Sequence, residues 1–426
     1  MKTELINSRI YLAAKIFKTL CLRALCSFGL VFLTYVLSTT VDLASLGQFS
    51  TGISFLLLIS LLGRAGSSTW LLKFSGINYI KGKTNSIYYE MEKIHNMVLC
   101  ITIILSTISA FWVIFFSYYD LWFILLIFSS PGVALLYTQA AVYRGSERAH
   151  MGPFMEFGMV SLCVAVIMYL WSLKEKNINI AGFAITLVVA TYILHGIFRK
   201  HIKNLIPIPS DLYQENKSQL KEDLLANKSY FITELAQYSS QYGMILIASF
   251  SLSSSAVGQF TIIQQLAFII NFILGVSVNT ISSYFASYGE KKDYLMIKKV
   301  KRKVQLIMLI WLIPMLITAF TFSSSILELF GIFSKEADLG FRLLCIVQTL
   351  NALSGLSLAV LNMTGHELMV SKISLIVLII QISLAIVLSL NFGILGLVLA
   401  FSASTLLRNG LSVYFETKVL RRVRTI

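Results

Sequence analysis

Arg64, Arg23 and Arg408 fall within or at the edge of long apolar runs. A guanidinium keeps its charge and matches phosphate oxygens with paired donors, so the chemistry these residues offer is anion binding. Arg64 is the deepest. It stands about two-thirds along the run 46–72 and nine residues from Lys73, roughly 13 Å at helical rise. Snorkelling to a membrane surface is strained over that distance. Gly63 and Gly66 leave room beside it for a neighbouring backbone or a bulky ligand group. Arg23 and Arg408 lie nearer run ends, where interfacial anchoring and ligand contact are both open. Arg342 opens the run 338–362 with Glu328, Glu336 and Asp338 close by, so a structural ion pair and a gating role are both open.

A second set is polar but mostly uncharged. Glu234, Gln237, Tyr238, Gln241 and Tyr242 share one helical face of the run 229–252. Gln264, Asn271 and Asn279 form a similar stripe in the run 257–288. Such faces suit a water-filled cavity or a seam between helices. Glu234 could pair with an arginine of the other half of the chain, or bind H+ or Na+. Glu156 follows Pro153 at a helix start, where the dipole favours an acid. His195, in the run 178–198, reads more readily as a core or interfacial histidine than as a proton relay.

Catalytic and cofactor arrangements are missing from the sequence. It has no His-Glu-x-x-His, no phosphate-binding Gly-x-x-x-x-Gly-Lys-Ser/Thr and no nucleophile elbow. Its five cysteines lie in apolar stretches without a Cys-x-x-Cys pair, so a metal site or disulfide framework is not indicated. We therefore expect no enzyme activity and no cofactor. The loops are too short for a nucleotide-binding domain, so transport would need an ion gradient or a coupled downstream process.

The elements that must position these residues are helices in lipid. Of 426 residues, 57% are hydrophobic and only 13% charged, half the charge a soluble surface needs. The apolar runs exceed the length of a membrane-spanning helix, and they are continuous where barrel strands would alternate. Twelve spans are expected: 20–41, 46–72, 94–117, 121–143, 152–172, 178–198, 229–252, 257–288, 304–323, 338–362, 368–390 and 393–416. The stretch Leu20–Leu37 is longer than the apolar core of a signal peptide, so it reads as a retained helix. Longer hydrophilic pieces are expected at 73–93, 199–228 and 289–303. Pro131 and Pro314 interrupt two spans as kinks or hinges.

Net charge of +15 does not indicate nucleic acid, because the basic residues sit between apolar runs. With both termini cytoplasmic, 29 of the 35 Lys and Arg residues fall on the cytoplasmic side and four opposite, with Arg64 and Arg408 inside spans. The positive-inside rule selects that orientation.

The segment 199–228, with Pro207 and Pro209, reads as a cytoplasmic linker between an N-terminal lobe (1–198) and a C-terminal lobe (229–426). The two halves look related. Gly47-Gln48-Phe49 recurs as Gly258-Gln259-Phe260 at an offset of 211, with Ile59, Thr69 and Phe74 matched by Ile270, Thr280 and Phe285. Gly145-Ser146-Glu147 and Gly365-His366-Glu367 follow at 220, and Gly182 and Gly396 at 214. Two six-span halves of the same orientation make a parallel repeat, as in transporters whose site lies between two lobes.

Several of these features together resemble a known family. They are the twelve spans in two halves, the Gly-Gln-Phe start of span 2, Tyr143-Arg144-Gly145 before span 5, Gly365-His366 leading to Lys372, and Asn391-Phe392-Gly393-Ile394-Leu395-Gly396. They are similar to the O-antigen and capsule-repeat flippases of the MOP superfamily. The resemblance implies an all-α integral membrane protein of MATE-like fold in the bacterial inner membrane. Its cargo would be an undecaprenyl-diphosphate-linked oligosaccharide, moved from the cytoplasmic to the periplasmic leaflet by alternating access and coupled to H+ or Na+. Arg64, Arg23 and Arg408 would meet the diphosphate. Glu234, Gln237, Tyr238, Gln241, Gln264 and Asn271 would line the cavity for the sugar, and Arg342 would gate. The lipid tail would stay in the membrane. The polymerase and chain-length proteins of the same pathway would be partners. Two relatives in the superfamily remain open: an ion-coupled drug exporter of MATE type and a cell-wall lipid precursor flippase.

Overall fold

The computed structural model describes residues 21–22, 24–116, 120–146, 151–152, 155–175, 178–205 and 228–421. Arg23, Pro153 and residues 206–227 of the expected linker lie outside these residues. The described chain is helical, and its order is α1 (Ala24–Thr40), α2 (Leu43–Arg64), α3 (Ser67–Ile80), α4 (Thr84–Phe116), α5 (Leu121–Gly145), α6 (Phe157–Ser172) and α7 (Ile180–Leu205). It continues with α8 (Lys228–Tyr238), a π turn (Ser239–Gly243), α9 (Met244–Ser251), α10 (Ser254–Glu290) and α11 (Tyr294–Thr321). The last helices are α12 (Ser323–Glu328), α13 (Lys335–Ser354), α14 (Leu356–Met363) and α15 (Glu367–Arg421).

These helices account for the twelve expected spans. One span is α2 with α3, one is α8 through α9, and one is α13 with α14. Helix α15 supplies two, because Phe392 (φ −128°, ψ 15°) and Gly393 (φ 56°, ψ −133°) leave helical geometry between them. The protein is thus a multi-pass integral membrane protein. Two of the expected hydrophilic pieces are mostly helix. Only 81–83 and 291–293 separate the helices there. The polar residues of 84–93 extend α4 instead of forming a loop, since side-chain pairs such as Glu92 with Arg199 hold that turn.

The residues cluster into two compact units. The first comprises 1–41 and 52–234, and the second 42–51 and 235–426. In the first unit α5 is central: 72% of its membrane window is buried, and α3, α4 and α7 pack on it. Small polar groups allow this close approach, as in Ser106 Oγ of α4 meeting Ser130 Oγ of α5 at 2.9 Å. In the second unit α10 and α15 pack on α13, while only 17% of the α11 window is buried. Helix α11 leaves Leu306, Ile310, Trp311 and Ile317 exposed over a broad face, as a lipid-facing helix must.

The Gly-Gln-Phe repeat has a packing explanation. Both copies lie in the second unit and meet backbone to backbone. A Cβ on Gly47 would sit 1.9 Å from Ser254 O, and one on Gly258 would sit 2.3 Å from Leu43 O. Phe49 and Phe260 are fully buried beside them. The matched glycines Gly182 and Gly396 are not equivalent. A Cβ on Gly182 meets side-chain atoms at ordinary distances, Met168 Cε at 3.4 Å and Asn179 Oδ1 and Trp171 Cζ3 at 3.8 Å, whereas one on Gly396 falls 1.9 Å from Leu388 O. Gly182→Ala should therefore be neutral or stabilising by up to ~1 kcal/mol, while Gly396→Ala should lower the melting temperature. Thermal unfolding of the two purified variants in detergent checks this.

Candidate functional site

Arg64 occupies the last position of α2 and is 8% exposed. The expected single span is broken directly after it. Ala65 (φ 44°) and Gly66 (φ 81°) both take left-handed backbone, and α3 starts without a side-chain cap. A non-glycine residue in that region costs about 1–2 kcal/mol, so the break at Ala65 is maintained against strain. The open N-terminal end of α3 lies next to the guanidinium.

The guanidinium is held from several sides within the first unit. Its Nε donates to Ser60 O at 3.1 Å and its Nη1 to Ser68 Oγ at 3.3 Å. Its Cζ lies 4.2 Å from the ring centroid of Tyr137 on α5, a cation–π geometry. Nη1 also faces Glu234 Oε2 at 3.9 Å. Glu234 Oε1 accepts a 2.5 Å hydrogen bond from Thr69 Oγ1, but Oε2 and the nearby Ser60 and Ser67 hydroxyls have no hydrogen-bond partner. The ion pair is therefore loose, and hydrogen-bonding capacity around the cation is left over.

The structure brings Arg64 and Glu234 together and accounts for the two glycines differently. Gly63 offers no spare room, since a Cβ there would meet Thr102 Cγ2 of α4 at 2.1 Å. Gly66 makes the break. Tyr137, Ser60, Ser68 and Thr69 were not legible as site residues: one aromatic residue or a few hydroxyls in apolar runs carry no signal of their own.

In the second unit the polar stripe of span 7 is interrupted by the π turn. That turn shifts the register between Glu234 and Gln241, so they do not continue one regular α-helical face. Tyr238 stacks on Tyr242 with centroids 6.1 Å apart. Gln264 is buried and donates to Ser240 O at 3.4 Å, and Gln381 donates to Ser239 O at 3.3 Å. These two glutamines add side-chain hydrogen bonds to carbonyls of the π turn, of which Ser239 O also accepts from the Met244 backbone N–H. Gln237 is exposed, Gln241 is half-buried, and Asn271 Oδ1 has no partner.

Arg408 is partly exposed, and among the described residues its guanidinium makes no hydrogen bond or ion pair. Its neighbour Asn409 donates to Asn351 Oδ1 at 3.0 Å, and Asn351 to Gln348 Oε1 at 3.2 Å. Arg342 pairs with Asp338 at 3.0 Å and donates to Ser323 Oγ at 2.9 Å. Glu336 instead accepts from Leu395 N at 3.2 Å beside the α15 break. The Arg342 side chain is 38% exposed and Asp338 22%, so Arg342→Ala should cost about 1 kcal/mol, measurable in the same unfolding assay. Lys301 forms a buried pair with Glu416, which sequence reasoning did not single out, and donates to Ser357 Oγ at 2.8 Å.

The family-like motif Tyr143-Arg144-Gly145 is structural here. Tyr143 is buried and bonded to His201, Arg144 pairs with Glu156, and Gly145 lies against Ser75 and Gly76 of α3.

These helices define the fold of the MOP-superfamily transporters. An inward-facing multidrug-resistance MATE-family transporter of that superfamily has a TM-score of 0.69 at 12% identity, over 96% of this chain and 99% of the other. The lipid II flippase MurJ, in an inward closed conformation, also has 0.69, at 14% identity, over 94% and 87%. A MOP-superfamily transporter from Pyrococcus furiosus, described as having a binding pocket of reversed polarity, has 0.62 at 12% identity, over 96% of both chains. No protein-family profile and no curated protein matches the sequence.

Proposed function

We propose that this chain is a flippase for polyprenyl-diphosphate-linked oligosaccharides, the repeat units of O-antigen or capsule. It would act by alternating access in the bacterial inner membrane with both termini cytoplasmic. The observation that carries this reading is Arg64 at the helix break. A buried cation, the uncapped N-terminal end of α3 and unpartnered Ser60 and Ser67 hydroxyls together favour a bound anion. Glu234 holds that position only loosely, so a diphosphate oxygen could replace its carboxylate. Gln237, Tyr238, Gln241, Gln264 and Asn271 would meet the sugar, and Arg408 and Arg23 would add charge for the diphosphate. Arg342 would act at the gate, and the lipid tail would remain among membrane lipids. The polymerase and chain-length proteins of the same pathway would take over the product.

One observation favours a second reading. Glu234 Oε2 is buried without a hydrogen-bond donor, which suits a cationic cargo and a drug exporter of MATE type. Deleting the gene separates the two. Loss of surface glycan with unchanged drug tolerance supports the flippase. Intact glycan with raised sensitivity to cationic drugs replaces it with the exporter. Loss of cell-wall precursor export would point to the lipid II class of cargo.

A further inference from the structure

The outer side of α11 carries charge that the rest of the second unit does not answer. Lys298, Lys299, Arg302 and Lys303 are all exposed. Among the described residues none of the four forms an ion pair or a side-chain hydrogen bond. Helix α11 contains no acidic residue, and Asp293 just before it is taken up as the cap, accepting from Met296 N at 3.1 Å. The spacing adds to the imbalance. Lys298 with Arg302, and Lys299 with Lys303, stand one turn apart, where like charges repel. The cluster therefore favours an anion from outside the chain.

Lys301, in the same run, is turned inward. It pairs with Glu416 of α15 and donates to Ser357 Oγ of α14 at 2.8 Å. One turn on, Gln305 Nε2 donates to Leu353 O of α13 at 2.7 Å, beside the break between α13 and α14. These contacts fasten α11 to three helices and hold the outer cations in place. A preorganised set of donors loses less freedom on binding than a loop does.

The depth of the cluster names its ligand. At ~100° per residue, the four cations share the exposed side of α11 with Leu306, Ile310 and Ile317, while Ile297, Met308 and Leu312 are buried on the other side. Residues 304–321 rise roughly 27 Å, close to the ~30 Å of a hydrocarbon core. Arg302 and Lys303 thus leave the helix at the level of lipid phosphates. Lys298 and Lys299, one turn further out, reach that level along their methylene stems. Charge that only orients a chain can sit on any loop, whereas these four cations face lipid from a pinned helix.

We propose that Lys298, Lys299, Arg302 and Lys303 form a binding site for anionic phospholipid headgroups in the leaflet at this end of α11. The ligand group is a phosphodiester held by charge, with Arg302 supplying paired donors. The site does not depend on which cargo the protein moves.

The test uses the full-length protein in detergent and native mass spectrometry, with phosphatidylglycerol, phosphatidylcholine and an undecaprenyl-diphosphate-linked glycan as probes. The wild type should retain phosphatidylglycerol at least tenfold more tightly than phosphatidylcholine. Each basic residue near an anionic lipid surface contributes about fivefold. A first variant, with Lys298→Gln, Lys299→Gln, Arg302→Gln and Lys303→Gln, should therefore lose at least tenfold in affinity for phosphatidylglycerol. A second variant, with Lys73→Gln, Lys81→Gln, Lys83→Gln and Lys200→Gln, removes the same exposed charge from the first unit and should bind like the wild type. Phosphatidylglycerol should raise the melting temperature of the wild type and the second variant but not of the first. In phosphatidylcholine the first variant should melt no lower than the wild type, because the repulsion along α11 is gone. Equal retention of phosphatidylglycerol by the first variant and the wild type would overturn the site. So would an equal loss in the second variant, which would make binding a matter of net charge. Displacement of phosphatidylglycerol from the wild type by an equal concentration of the glycolipid would overturn the phospholipid assignment.

Discussion

Arg64→Ala should reduce surface glycan in a complemented deletion strain by about tenfold to a hundredfold, the range expected when one to two charge-assisted hydrogen bonds to cargo are lost. Part of that loss could come from folding. The substitution strands Glu234, 19% exposed in its side chain, beside a helix break, and breaking a buried pair by one partner costs about 3 kcal/mol or more. The double variant Arg64→Ala with Glu234→Ala separates the two causes, because it removes both charges. If Arg64 binds the diphosphate, the double variant should restore the amount of folded protein and leave glycan low. Recovery of both would make the pair purely structural. Glu234→Gln keeps Thr69 bonded and relieves Arg64 of its competitor, so it should bind the glycolipid at least as tightly as the wild type. Arg64→Lys should be intermediate. An ammonium keeps the charge but lacks the planar fork that reaches Ser60 O and Ser68 Oγ while lying on Tyr137.

The second large effect is expected at the crossing of α2 and α10. Gly47→Val and Gly258→Val should each strongly reduce folded protein in the membrane. Even a methyl group at Gly47 would overlap Ser254 O at 1.9 Å, and at Gly258 it would overlap Leu43 O at 2.3 Å. Both obstacles are backbone atoms, so the helices must separate. Overpacking of this kind costs typically 1–3 kcal/mol and more when the backbone cannot move. The two substitutions disturb one contact, so their effects should not add. Detergent-extractable, monodisperse protein and its melting temperature are the measurements. Wild-type values for both single variants would show that the helices cross elsewhere in the membrane.

How much of this was legible differs from residue to residue. The twelve spans follow from apolar runs alone, because in lipid a continuous apolar segment has to be helical to satisfy its backbone. The Gly-Gln-Phe repeat was visible as a duplication, but its purpose as a helix crossing was not, since the two copies are 211 residues apart. The helix break at Ala65 was hidden. Gly63 and Gly66 flank it, yet nothing in the letters says which glycine turns the chain and which packs on Thr102. The π turn was hidden likewise, and it shifts a stripe that regular helical spacing had aligned. His195 reads from the sequence as a core or interfacial histidine, and nothing along the chain announces that His95, on a different helix, packs against it.

The letters alone make the protein a helical membrane protein of about twelve spans and place Arg64 deep in an apolar run, whereas several helices extend seven to ten residues beyond the apolar runs. The number of spans and the depth of Arg64 depend on composition and on neighbours along the chain. Tertiary structure decided what Arg64 faces: Tyr137 below, Ser60 and Ser68 beside it, Glu234 at 3.9 Å. It also decided that His95 and His195 meet. Burial and pairing are properties of helices brought together in space, and in a membrane the apolar letters that form the spans say little about which face meets which neighbour.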